Sequence, residues 1–330
     1  MILNNESQFV LPNDIIQKMM KIYKHMGARK YYDQLSLGDK QKIMELIVQR
    51  DSYFIFSMLD MNVSEQRIRL IITKNSLPRT NQEEILYNLK GLLHNYLFNF
   101  ESISDSPQAL NNLVNYLFKN ENVHFRYQKK GEEKTVVSLE NDLETLYSKY
   151  KDMEKNHEML TLLFHYFLDF RFLAPFTDRN DIISLLIVYY NLVRLNVDCL
   201  NYVSFFEVLY QKKQEFINSI NKANVNWAEG ISQTSDFLRF MFDLLLEMYE
   251  KRDQEMIKYE SQLNENKGDS IEETILSFDK LFSKSDIRRH HPYVSESTIN
   301  RVISKLSEDG KIVSTGKGRS AKWEIKKHQY

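Results

Sequence analysis

The sequence predicts a mainly α-helical body carrying one short β-hairpin, followed by a small α+β module at its C-terminal end. Three observations support this. Glycine and proline are scarce, at 9 and 5 residues in 330, and both are unfavourable inside helices, so few breaks are written into the chain. Apolar residues recur at helical spacing over most of the first 260 positions. Beyond residue 270 the texture changes to short amphipathic segments around a glycine-rich basic loop.

The elements follow in order. Residues 11–110 read as helices. In Asp39–Leu59 the apolar positions Ile43, Leu46, Ile47, Phe54, Ile55 and Met58 lie close to helical spacing. Pro78 and the polar run from Arg79 to Gln82 mark a break, and Glu83–Asn99 resumes the pattern through Ile85, Leu86, Leu89, Leu92, Leu93 and Tyr96. Val123–Val137 departs from it. Val123 to Tyr127 alternates, Lys129-Lys130-Gly131-Glu132 can turn, and Lys134 to Val137 can pair back. Ile183–Val193 is almost wholly apolar, as a buried central helix would be. Phe237–Tyr259 reads as a long helix passing into charged residues. Ser261–Ser270 has almost nothing apolar and reads as a linker. The expected organisation is an N-terminal helical region at 1–110, a core at 111–260, a linker at 261–270 and a C-terminal module at 271–330.

Composition narrows the function classes. At 42% hydrophobic, the chain has ample core material. Its one cysteine, Cys199, excludes an internal disulfide framework and reads as a small buried apolar residue rather than a nucleophile. Met1–Val10 lacks the pattern of a secretion signal, and the longest apolar run, Ile182–Val193, is short for a membrane span and interrupted by Ser184 and Asn191. A cytoplasmic protein with no membrane partner is expected. The formal net charge is −1, but residues 281–330 hold 11 Lys or Arg against 5 Asp or Glu, a net of +6. The near-neutral total therefore conceals a basic module on an acidic body.

In that module, Ile271–Phe282 predicts a first helix with Ile271, Ile275, Leu276 and Leu281 inward, and Ser283–His290 a second. Pro292-Tyr293-Val294-Ser295 makes a turn. Ser297–Ser307 follows as a third helix, with Ile299, Val302, Ile303 and Leu306 on one face, ended by Asp309-Gly310. Two short strands, Lys311–Val313 and Ala321–Ile325, flank Thr315-Gly316-Lys317-Gly318-Arg319-Ser320. This order resembles the winged helix-turn-helix of many bacterial regulators. The resemblance implies double-stranded DNA as partner and a homodimer. Ser297, Thr298, Asn300 and Arg301 would face base edges, and Arg288, Arg289, Lys317, Arg319 and Lys322 would face phosphates. His290-His291 has no further ligands at metal spacing and reads as solvent-facing or phosphate-touching.

The most informative segment is Ala174-Pro175-Phe176-Thr177-Asp178-Arg179-Asn180-Asp181-Ile182, continuing to Leu185. It resembles the Fic-family signature H-P-F-x-[DE]-G-N-G-R-x-x-R with its chemistry removed. Pro175, Phe176, Asp178 and Asn180 keep the pattern. Ala174 stands where the family has its proton-accepting histidine, Arg179 and Asp181 where it has glycines, and Ile182 and Leu185 where it has arginines. Fic enzymes transfer a nucleotide monophosphate to protein hydroxyls. Alanine holds no proton, isoleucine and leucine cannot fork onto phosphate, and a side chain at Arg179 should crowd the nest of backbone N–H groups. No catalytic residues and no cofactor are therefore expected. Asp178 occupies the family's Mg²⁺ position, but one carboxylate without phosphate partners is a poor site, so no metal is expected there.

The surroundings strengthen the resemblance. Leu162 to Phe167 and Phe170-Arg171-Phe172 are similar to the helix leading into the Fic loop; Ser204-Phe205-Phe206, Tyr210 and Trp227 to Ile231 are similar to the serine-, tyrosine- and tryptophan-bearing helices that follow it. Ser57 and Asp60 match, in decayed form, the family's inhibitory motif. The hairpin with Phe125, Arg126 and Tyr127 matches the flap that pins a target peptide, which implies a peptide or protein partner there. The expected fold is thus a Fic-like helical bundle with a β-hairpin flap, followed by a winged helix. Three functional readings remain open. One is a DNA-binding regulator on an inactive Fic-like body. The second is a divergent enzyme, using ATP and Mg²⁺, that transfers AMP or another phosphate-linked group through Asp178 or Asp181. The third is a pure interaction protein.

Overall fold

The structure is a computed structural model that describes residues 1–28, 37–130, 135–264, 267–278, 281–292, 294–316 and 321–326. The chain divides into two compact units, Met1–Arg252 and Asp253–Tyr330. The first unit holds helices α1 (Asn13–Ala28), α2 (Leu37–Ser57), α3 (Glu65–Lys74), α4 (Asn81–Phe98) and α5 (Pro107–Leu117). A hairpin follows, β1 (Tyr127–Lys130) and β2 (Thr135–Ser138). Then come α6 (Glu140–Met153), α7 (Met159–Leu173), α8 (Asn180–Arg194), α9 (Phe205–Gln211) and α10 (Lys213–Asn224). Helix α11 (Ser235–Asn264) runs past the point of division.

The core of the first unit is built on α7 and α8. Both are apolar around most of their circumference, and such a helix is stable only when enclosed. Leu160, Leu163, Phe164, Leu168, Ile183, Leu186, Val188, Tyr189 and Leu192 are all fully buried. Residues 1–110 belong to the first unit, with α2 packed against α4 and α9.

Two buried carboxylates hold distant segments together. Asp169 of α7 accepts from the backbone N–H of Ile2 at 2.7 Å and of Leu3 at 2.9 Å, and from Trp227 Nε1–H at 2.6 Å. Trp227 sits in a run of turns rather than in the helix expected from the sequence, because its side chain is fixed by Asp169 and not by local periodicity. Asp51 of α2 joins three helices. Its Oδ1 accepts from Ser204 Oγ–H at 2.6 Å and Phe206 N–H at 3.0 Å, and its Oδ2 from Tyr189 O–H at 2.9 Å. Ser204 is also the N-cap of α9. Cys199 is buried and free, and burial pushes its thiol pKa upward, as an unreactive thiol requires.

The second unit contains α12 (Lys267–Leu276), β3 (Phe282–Ser283), α13 (Lys284–His290), α14 (Glu296–Glu308), β4 (Ile312–Ser314) and β5 (Lys322–Ile325). Its antiparallel sheet has the order β3-β5-β4, with Phe282 opposite Trp323 and Ile312 opposite Ile325. Ile271, Ile275, Phe282, Ile287, Ile299, Val302, Ile303, Leu306, Ile312 and Trp323 form one core. A capping box between Ser283 and Asp286 starts α13.

Several expectations change here. Most of the segment 261–270 is helical, belonging to the end of α11 and the start of α12, because tertiary context and extension of a helix already nucleated override a composition poor in helix formers. The first helix of this unit ends at Leu276, not Phe282, and Phe282 becomes an edge strand on Trp323. Leu276 and Leu281 are exposed, at 43% and 52%. His291 is buried at 3% exposure and shares a 2.7 Å hydrogen bond with Thr274 Oγ1, whereas His290 is exposed. No helix among the described residues is long and apolar enough to cross a membrane.

Asp51 has a pH signature. Burial outweighs its three donors and pushes its carboxyl pKa from 3.8 up to about 7, with Glu207 adding to the rise. The native state therefore holds this proton more tightly than the unfolded chain does. The stability it contributes is complete below about pH 4 and is lost as pH rises through about 7. Asp51→Asn should destabilise by about 1–3 kcal/mol, since the amide brings two N–H donors where the protonated carboxyl brings one, and this buried site leaves one of them unpartnered. Urea unfolding should show that loss shrinking between about pH 5 and about pH 8, because only the wild-type chain has this proton to lose.

Candidate functional site

Six residues, Ala174–Arg179, link α7 to α8. Both ends of the link are left-handed. Ala174 closes α7 at φ 44°, with its N–H on Phe170 O, and Arg179 opens α8 at φ 63°. Pro175 cannot continue α7, and the sign of φ at Ala174 turns the chain back. Asn180 fixes the turn. Its Oδ1 accepts from Phe176 N–H at 3.0 Å and its Nδ2–H donates to Phe176 O at 2.8 Å, so one side chain satisfies both backbone groups of a buried residue. Phe176 is 1% exposed and stacks on Phe125 at 4.8 Å.

The segment before the hairpin is stitched to this loop. Arg126 N–H donates to Pro175 O at 2.8 Å, Thr177 N–H donates to His124 O at 2.9 Å, and Phe125 bridges Phe176. Arg126 Nη2–H donates to Leu173 O at 2.7 Å. Of the three expected docking residues, Phe125 and Arg126 are thus committed to the loop itself. Arg126 is exposed all the same, and Tyr127 is presented outward at 62% exposure, with Val136 at 60% on the same hairpin face. The strand expected at Val123–Tyr127 begins at Tyr127 because residues 124–126 pair with the loop instead.

Arg179 does not simply crowd its surroundings. Its Nε–H and Nη2–H fork onto the two carboxylate oxygens of Glu121 at 2.8 and 2.9 Å. That partner, first among the causes, holds the guanidinium pKa above its ordinary value. Asp178 Oδ1 accepts from Arg179 N–H at 2.7 Å, and its side chain is 70% exposed. Asp181 pairs with Arg171 at 2.7 Å. Ile182 and Leu185 are each 4% exposed and belong to the core. Ser57 O–H donates to Tyr53 O at the end of α2, and Asp60 lies exposed in the following turn at φ 51°. No local pattern pointed to Glu121 as the partner of Arg179, because the pair spans 58 positions.

In the second unit, Ser295 caps α14 by accepting from Thr298 N–H at 3.2 Å, and it shares hydrogen bonds with the hydroxyls of Ser297 and Thr298. Ser297 and Arg301 are exposed along that helix, while Ile299, Val302, Ile303 and Leu306 are buried behind it. Arg288 and Arg289 are exposed on α13, the first 3.6 Å from Glu296 and the second 3.4 Å from Asp286. Lys322 is exposed on β5. Asn300 departs from its expected place beside Arg301. It lines a cleft with Lys284 and Trp323, and its Oδ1 is buried without a partner, because its position falls on the flank of the apolar stripe. Lys317 and Arg319 lie outside the described residues.

No protein-family model matches this sequence, and no curated protein resembles it. The structure, however, is similar to the crystal structure of a Fic family protein from Desulfovibrio desulfuricans G20. The two share 15% sequence identity at a TM-score of 0.55, over 98% of this chain and 99% of that one. The fold is therefore Fic-like: mainly helical with small antiparallel β elements.

Substitutions at two positions test the loop. Ala174→Gly should raise stability by about 1 kcal/mol, since glycine meets no Cβ penalty at positive φ. Arg179→Gly should cost less than Arg179→Ala, because glycine offsets the lost Glu121 pair by relaxing the backbone. Thermal unfolding midpoints would check both orders.

Proposed function

We propose that this chain is a DNA-binding protein, a homodimer in which a Fic-like body without nucleotide transfer carries a C-terminal winged helix. One observation favours this reading above the others: α14 backs Ser297, Thr298 and Arg301 with a buried apolar stripe, inside a module whose last fifty residues carry a net of +6. Arg301 would reach into the major groove, and Arg288, Arg289 and Lys322 would neutralise phosphates, joined by Lys317 and Arg319 of the loop between β4 and β5. The loop at 174–185 favours loss of transfer. It lacks a proton acceptor at Ala174, and Ile182 and Leu185 are packed inside.

The exposed Tyr127 and Val136 favour a second role for the hairpin, in which an extended peptide of a partner protein lies against that face.

Affinity for a labelled duplex should fall steeply as salt rises from about 50 to about 200 mM, with a log–log slope near −0.9 for each phosphate contacted. Lys322→Ala should lower that slope by about 1, and Arg301→Ala should cost about 1–3 kcal/mol on a preferred sequence. Undetectable or salt-independent binding would end this reading. Labelled ATP, UTP or CDP-choline with Mg²⁺ should leave no label on the chain or on lysate protein; transfer of label would restore the enzyme reading in its place.

A further inference from the structure

A cleft of about 430 Å³ lies among α4, α5 and α8, within the first unit and away from the loop at 174–179. Leu92, Leu110, Leu113 and Ile187 give it apolar walls. Tyr96 also lines it, is only 4% exposed, and makes no hydrogen bond through its hydroxyl among the described residues. The two neighbouring tyrosines of α8 do make one: Tyr189 donates to Asp51 and Tyr190 donates to Ile103 O at 2.6 Å. The Tyr96 hydroxyl is not sealed in the core but opens on the cleft, where water or a guest's oxygen can accept from it.

The chemistry of a partner follows from the surroundings. Burial first, then Tyr190 and Asp105, push the Tyr96 pKa upward, so the hydroxyl keeps its proton and is available as a donor. Asp105, at the same cleft, already accepts from Tyr147 O–H at 3.0 Å and from Lys151 Nζ at 3.1 Å. Its negative charge near Tyr96 works against an anionic guest. The volume falls in the range of about 300–1,000 Å³ usual for small-molecule sites.

We infer that this cleft binds a small neutral molecule with a ring-sized apolar body and one hydrogen-bond acceptor, a ketone or amide oxygen, received by Tyr96 O–H. Such a molecule would rest on Ile187 and Tyr190 of α8, the helix that begins at the Fic-like loop. The inference stands independently of DNA binding.

Fluorine NMR of the full chain with 4-fluoroacetophenone tests it. The ketone should bind with a Kd on the order of 1 mM, as a ligand of its size can. The analogue without an acceptor, 4-fluorotoluene, and the anion 4-fluorobenzoate should bind at least about 5-fold more weakly. Tyr96→Phe should weaken the ketone about 5–10-fold while leaving the thermal midpoint nearly unchanged, because the lost hydroxyl bonds to no described residue of the chain. Gly91→Leu should abolish binding. Gly91 lines the cleft, a Cβ there meets only Tyr116 Oη at 3.8 Å, and leucine is the better helix former by about 1 kcal/mol. The inference is overturned if the ketone does not bind, if the toluene or benzoate binds as tightly, or if either substitution leaves ketone binding intact.

Discussion

The chain reversal between α7 and α8 is the constraint on which the first unit depends. Two helices buried on nearly every side must be joined by six residues that leave no backbone group unsatisfied. Asn180 accomplishes this by holding both the N–H and the C=O of Phe176, while two left-handed residues set the direction of the chain. An amide side chain carries a donor and an acceptor together, and few other residues could close the same turn. Pro175, Phe176 and Asn180 are the members of the Fic-type signature that do this architectural work. Their presence together has a physical reason, since they set the turn and seat Phe176 between the two central helices.

The strained backbone points the same way. Arg179 adopts a conformation that suits glycine, at a cost of order 1–3 kcal/mol that the fold must offset. Part of the offset is the fork onto Glu121, which ties the loop to the segment leading into the hairpin. The stack of Phe125 on Phe176 and the backbone pairing of residues 124–126 with the loop strengthen the same junction. Groups that would hold phosphate under the Fic resemblance thus take part in packing. Ile182 and Leu185 point to the same exchange of charge for burial.

Buried carboxylates integrate the rest. Asp51 draws α2, α8 and α9 together, and Asp169 gathers the first residues of the chain and Trp227 onto α7. Neither has a basic side chain among its donors, so both depend on neutral donors and both have raised pKa values. This dependence accounts for the packing of α2 within the same unit as α8 and α9. Helix α2 supplies a polar group that the later helices must satisfy.

Much of this was legible in the sequence by itself. Period-3.6 apolar spacing marked α2, α4 and α14, and the apolar run at 183–193 marked a helix buried in the core, because these signals are local and follow from helix geometry; Pro175, Phe176 and Asn180 marked the loop before it through their resemblance to the Fic signature. Only the tertiary structure decided the rest. It paired Glu121 with Arg179 and residues 124–126 with the loop, turned Asn300 toward Trp323 and left Tyr96 facing a cleft. It also carried α11 and α12 through a segment whose composition read as a linker. Partners far apart in sequence leave no periodic trace, and a polar stretch becomes helix or loop according to what the elements on either side of it bury.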